Sequence, residues 1–409
     1  MSNILPGRIG INALFLEPRM GGLDTYLRAL LPELVHLAPQ VRFSVFCSPG
    51  GHEYLEGQLR GQPWSQEVEL VTHPLLGRRG LKAVGELTVL GAIAGRRVDL
   101  LHSVAMTAPL RTRAVNVVTL ADVTWIVAPD PGEMGTVRVW RAVVPPVARR
   151  ADRLIALSQT GAEHIVKHLR VPAERIDVVP LAAGSDGALV RASAAGRAVM
   201  DSAGAAHSDN GVIPTPAQEL RSRLALGQGP VILSVSAKKV HKNLSRLVQA
   251  MAAVVQRHPN AMLVLPGNPT THEDELRELA QRLGIAANVV FPAYVNAEDL
   301  EGLYGLAQCF AFASINEGFG IPILEAMRRG VPVACANASA LPEVAGEAAR
   351  YFDPHSVPDI ALALNELLED PSLAQRLAAL GVKREASFTW EATAQGTLDS
   401  YARAWATTR

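Results

Sequence analysis

The strongest constraint in this 409-residue sequence is a rhythm. Short apolar runs of strand length alternate with longer stretches of helical period along nearly the whole chain. Strands are expected at residues 8–13, 41–47, 99–101, 116–120 and 153–157, with a helix from Gly22 to Leu37 after the first. Such alternation predicts parallel sheets with crossover helices. It breaks at residues 185–216, which are rich in Ala, Gly, Ser and Asp and end with Pro214 and Pro216, the composition of a linker or mobile loop. It then restarts, with strand-like runs at 231–235, 261–265, 289–291, 309–313 and 331–334. The expected fold class is α/β, with two doubly wound Rossmann-like domains facing a cleft. The expected division is a first domain 1–184, the linker 185–216, a second domain 217–389 and a terminal helix 390–409. In open α/β sheets ligands bind at the carboxyl ends of the strands, so that edge is where a site is sought.

Composition narrows the classes. Hydrophobic residues make up 48% and charged residues 19%, which supports large cores rather than disorder. The formal net charge is zero, so no general attraction to nucleic acid is expected. Residues 1–184 carry 20 Lys+Arg against 16 Asp+Glu, and residues 185–409 carry 19 against 23. Cys47, Cys309 and Cys335 are odd in number and lie in apolar runs, which predicts buried free thiols in a reducing compartment. Residues 1–10 lack the apolar core of a signal peptide, and Leu81 to Gly95 is too short to span a bilayer and contains Lys82 and Glu86. A cytoplasmic location is the expectation.

One segment concentrates the chemistry. After the run 309–313 the chain reads Ser-Ile-Asn-Glu-Gly-Phe-Gly-Ile-Pro from Ser314 to Pro322, then continues through Glu325 to Gly330. Gly318 and Gly320 permit a sharp turn and close approach of backbone to ligand. Pro322 suits a first helical turn and Gly330 a helix stop. Strand, glycine loop and helix N-terminus together form an anion site. Two carboxylates beside it, Glu317 on the loop and Glu325 about one turn into the helix, would repel a lone phosphate. They suit sugar hydroxyls, so a nucleotide sugar fits both features. An ordinary turn with two exposed acids has the same spacing. Lys242, in the Lys-Asn-Leu run 242–244, offers a point charge for a phosphate and for a departing diphosphate.

The run from Glu317 to Glu325 resembles the E-x7-E signature of family 4 retaining glycosyltransferases. The resemblance extends from Gly21 to about Trp390 and includes Leu341-Pro342-Glu343-Val344-Ala345-Gly346. It implies the GT-B arrangement, in which the last helix crosses back to the first domain, here Trp390 to Trp405. It implies that Glu317 contacts the transferred sugar and Glu325 the ribose, while the amides of Gly318, Phe319, Gly320 and Ile321 hold the diphosphate. Gly21 and Gly22, after the first strand, match a family pair that contacts the same group. Many members carry Arg at the position of Ala237, for which Lys238 or Lys239 would substitute. Backbone near Val295 would read the base. Asp122 matches the second residue of a family His-Asp pair whose first is Ala121 here, and His102, at the end of an earlier strand, is a further candidate facing the cleft.

The implied activity is a metal-independent hexosyl transfer from a UDP-, GDP- or ADP-sugar to a hydroxyl acceptor, with retention of configuration. No cofactor is expected. A nucleotide-sugar epimerase and a non-catalytic donor-binding or glycan-binding partner are the alternatives. Two basic stretches, from Arg78-Arg79 to Arg96-Arg97 and from Arg138 to Arg153, have the composition of helices that lie on anionic lipid or simply face solvent.

Overall fold

The computed structural model describes residues 4–16, 22–74, 76, 84–184, 212–293 and 295–408. Its contacts divide the chain into two units, Met1–Ala192 with Phe388–Arg409, and Ser193–Ser387. The linker expected at 185–216 lies outside the described residues as far as 211.

The first unit is built on a seven-stranded sheet of β1 (Arg8–Asn12), β2 (Arg42–Phe46), β3 (Val68–Val71), β4 (Leu100–Ser103), β5 (Val115–Leu120), β6 (Arg153–Ala156) and β7 (Ile176–Val178). Every pairing is parallel and the spatial order is 3-2-1-4-5-6-7. β4 and β5 are buried along their whole length, as expected for central parallel strands covered on both faces. The second unit holds six parallel strands: β8 (Val231–Leu233), β9 (Met262–Val264), β10 (Val289–Val290), β11 (Ala307–Phe312), β12 (Val333–Ala336) and β13 (Ala349–Phe352). Their order, 10-9-8-11-12-13, repeats the pattern of the first sheet. In each sheet the order reverses beside the first strand, between β1 and β4 and between β8 and β11. That reversal opens a crevice at the carboxyl ends.

Three strands were not legible as apolar runs: β3, β7 and β13. All three are edge strands. Half-solvated edges tolerate polar residues such as Glu69, Asp177 and Arg350, which break the continuous apolar pattern. β12 also starts two residues later than the expected 331–334.

The terminal helix, Trp390–Thr407, belongs to the first unit. The Trp390 indole donates to Ala183 O at 2.8 Å, and its ring lies 6.2 Å from that of Tyr26 on the helix Gly22–Leu37. Thr393 donates to Pro180 O, and Arg403 pairs with Asp177, which also holds Arg153. Burial opposes ionisation of Asp177, yet the hydrogen bonds from Arg153 and the charges of Arg153 and Arg403 keep its carboxyl below the usual range. All three cysteines are free and buried. Among the described residues no helix is long and apolar enough to cross a membrane.

Candidate active site

The reversal point of the second sheet brings two loops together. One follows β8 and runs to Asn243. The other follows β11 and runs to Gly320. Ile315 N donates to His241 O at 2.9 Å and ties them. Asn243 adopts a left-handed backbone (φ 59°), which Asn tolerates better than most residues, and its amide donates to Ala313 O and Pro354 O. These bonds fix the end of the first loop against the end of β11.

Lys242 and Glu317 meet there. The Lys242 ammonium donates to Glu317 Oε1 at 2.5 Å and lies 5.8 Å from the centre of the Phe312 ring. Their side chains keep 15% and 14% of their exposure, so the pair is shielded yet reachable. Ser339, itself left-handed at φ 55°, clamps Glu317. Its hydroxyl accepts from Glu317 N at 3.1 Å and donates to Glu317 O at 2.7 Å. Nothing in the sequence around Ser339 marks that role, because the clamp comes from the loop after a different strand.

Gly318 and Phe319 are buried, and Gly320 sits at φ 127°, where a Cβ would meet Leu341 Cδ2 at 3.1 Å. The helix Ile321–Arg328 starts immediately after it, with Pro322 in the first turn and no side chain capping its N-terminus. Pro322 has no N–H and Ile323 N bonds back to Gly320 O at 3.0 Å, so what this end offers an anion is the Ile321 N–H and the positive end of the helix dipole. Gly330, at φ 65°, ends it, with Val331 N bonded back to Ala326 O. Glu325 is half-buried and accepts from the Tyr304 hydroxyl at 3.2 Å. Burial raises its pKa, with the Arg329 charge and the Tyr304 bond opposing. Arg329 is held in turn by Glu301 at 2.8 Å and lies 4.5 Å over the Tyr304 ring. At the bases of the two loops, Ser234 and Ser314 are buried with hydroxyls that have no hydrogen-bond partner among the described residues.

Lys238 requires a correction. It does not project toward a ligand. Its side chain is fully buried, donating to Gly267 O at 2.7 Å and pairing with Glu273 at 3.1 Å. Burial lowers its pKa, partly offset by Glu273. It is a strut to the turn after β9, and it does not replace the family Arg at Ala237. Val295 is partly exposed beside Asn296, whose side chain caps the helix Ala297–Leu306 by accepting from Asp299 N at 2.8 Å.

In the first unit, Gly22 is exposed and opens the helix Gly22–Leu37 with open space around it, while Gly21 lies outside the described residues. Asp122 accepts from Thr124 N at 2.7 Å, just ahead of the short helix Thr124–Val127. His102 is the second correction. It is fully buried, with Nδ1 2.7 Å from the Tyr401 hydroxyl and Nε2 2.8 Å from Thr119 Oγ1. Burial drives its pKa down to about 3, so it is neutral and committed to joining the terminal helix to the sheet. Among the described residues no group of three or more His, Cys, Asp or Glu could hold a metal ion.

Known proteins agree with this architecture. The family model Glycosyltransferase Family 4 matches residues 20–182, and Glycosyl transferases group 1 matches residues 217–384. The serotype-specific mannosyltransferase WbdA of Escherichia coli is 30% identical over 259 residues, covering 62% of this chain but only 29% of that protein's length. The O-antigen chain mannosyltransferase B of Escherichia coli is 27% identical over 367 residues, covering 89% of this chain and 86% of its own. Among solved structures, Anabaena Alr3699/HepE in complex with UDP-glucose superposes with a TM-score of 0.71 at 20% identity, covering 98% of this chain and 99% of that one. With two Rossmann-like units whose strand orders repeat each other and a family match in each, the chain belongs to the family 4 glycosyltransferases of GT-B fold.

Proposed function

We propose that this chain is a retaining hexosyltransferase, moving a sugar from a nucleotide-diphosphate sugar to a hydroxyl acceptor. The observation that carries this reading is the Lys242–Glu317 contact beside the uncapped N-terminus of the helix Ile321–Arg328. A diphosphate at that N-terminus gains the positive end of the helix dipole and the loop amides leading into it, and comes within reach of the Lys242 charge, which stabilises the negative charge left as the glycosidic bond breaks. Glu317 then accepts from hydroxyls of the transferred sugar. Glu325, farther along the same helix, accepts from the ribose. Positioning and leaving-group stabilisation are the enzyme's tasks, and this reading assigns them to Lys242 and backbone amides without a metal ion. The relatives named as mannosyltransferases favour a mannosyl donor. Buried free thiols fit a reducing, cytoplasmic setting.

The first test is a thermal-shift screen of UDP-, GDP- and ADP-sugars, mannosyl donors included. A true donor at ~100 times its dissociation constant adds ~2.7 kcal/mol of stability. The second is nucleoside-diphosphate release that depends on an added acceptor, with the product anomer read by NMR. Glu317→Ala should abolish most of that turnover while nucleoside-diphosphate affinity changes little. An inverted product, acceptor-independent isomer formation, or normal turnover by Glu317→Ala would each refute the proposal.

A further inference from the structure

The basic stretch from Arg78-Arg79 to Arg96-Arg97 begins outside the described residues, and the one from Arg138 to Arg153 runs along the helix Met134–Arg150 to the start of β6. The next helix, Gln159–Leu169, carries chemistry that the transferase reading does not use. Ser158 caps its N-terminus by accepting from Gly161 N at 3.0 Å. Ala162, Ile165 and Leu169 bury its apolar face in the core that also holds Leu154 and Ala156 of β6. His164 and His168, four residues apart, stand on successive turns at the margin of that face. Both are half-buried, and their ring centres lie 5.8 Å apart at an interplanar angle of 73°. Among the described residues no hydrogen bond or ion pair engages either ring. Other histidines differ. His258 and His272 each lie against a carboxylate, at 3.1 and 2.7 Å, and His102 is held by Tyr401 and Thr119.

We infer that His164 and His168 form a binding site for a transition-metal ion, zinc above all, on the surface of the first unit. Two histidines four apart on a helix direct imidazole nitrogens to one side, the spacing that helical zinc sites use. With Zn–N bonds of about 2.0–2.1 Å and tetrahedral angles, two ligating rings have centres roughly 5.2 Å apart. The observed 5.8 Å closes to that value by small side-chain rotations, without moving the helix. An anion would need both rings charged, and two imidazolium groups this close repel each other. A metal takes them neutral. Magnesium and calcium prefer oxygen ligands, so the pair selects zinc, nickel or copper. Lys167 opposes a cation, but its side chain is exposed and can swing away, while Glu163 and the carbonyl end of the helix at Leu169 favour one. Two protein ligands leave the remaining positions of the ion to water. The ion then links successive turns of the helix that follows β6 and stabilises the folded first unit by mass action. It takes no residue from the Lys242–Glu317 site, which belongs to the second unit.

The test uses the full chain without a histidine tag, stripped of metal by a chelator and titrated with zinc chloride in a calorimeter. A single saturable site is expected, with a melting temperature that rises as zinc is added. Magnesium chloride should give neither. His164→Gln or His168→Gln should weaken zinc binding by about tenfold or more, and the double variant should abolish it. His168→Cys, which puts another zinc ligand at the same place, should retain saturable binding. His355→Gln, at an exposed histidine of the second unit, should leave zinc binding unchanged. Melting of each metal-free variant separates a lost ligand from a lost fold. No saturable zinc uptake by wild type, undiminished uptake by the double variant, or equal uptake of magnesium would overturn the inference.

Discussion

Acid should weaken the first unit through a single buried imidazole. His102 has a folded-state pKa of about 3 against an ordinary 6.5. The unfolded chain therefore binds a proton that the folded chain refuses. A depressed pKa contributes stability that is fully present above pH 6.5 and is lost as pH falls toward about 3. The slope across that window is about 1.4 kcal/mol per pH unit, and the whole shift corresponds to roughly 5 kcal/mol. His102→Phe removes the titration but strands the Tyr401 hydroxyl, while Thr119 keeps Tyr26 at 3.3 Å. At about pH 7.5 the variant should be less stable than wild type by about 1–3 kcal/mol, the cost of one unpaired buried hydroxyl. By about pH 4.5 that gap should have shrunk by about 2.7 kcal/mol, because only wild type carries the proton linkage. Groups common to both proteins cancel in the difference. All five tryptophans lie in the first unit, so urea melts followed by tryptophan fluorescence report on it selectively. A stability gap that stays constant over this range would show that His102 is not held neutral by burial.

Three further outcomes probe the second unit. Lys242→Ala should depress turnover far more than folding, which it weakens by about 1–3 kcal/mol because the shielded Glu317 carboxylate loses its partner; full activity in a protein that melts early would make its role structural. Glu325→Gln should weaken donor binding about tenfold to a hundredfold by calorimetry, the equivalent of a charged hydrogen bond of about 1.5–3 kcal/mol, and an unchanged affinity would remove the ribose assignment. Gly320→Ala must place a Cβ on a backbone at φ 127° and within 3.1 Å of Leu341, so it should destabilise the loop and lower donor affinity; a variant with wild-type melting and binding would show that the turn relaxes freely.

Much of this protein was determined locally. Continuous apolar runs marked the central strands because both of their faces are covered, and the start and stop of the helix Ile321–Arg328 followed from Pro322 and Gly330, whose preferences are backbone properties. The helix Gly22–Leu37 was legible for the same kind of reason. The edge strands β3, β7 and β13 were not, because their composition answers to solvent on one side, although the apolar edge strand β10 was. Side-chain direction was decided only by the tertiary structure. Lys238 and Lys242 stand four residues apart in one loop, yet one turns inward to Gly267 O and Glu273 while the other meets Glu317. His102 read as a site residue because it ends a strand, but its partner Tyr401 arrives from 299 positions along the chain and closes over it. Ser339 reaches Glu317 from across 22 positions. Local sequence sets which backbone shapes are cheap; which polar group meets which is settled only when distant segments are packed and every buried donor and acceptor must find a partner.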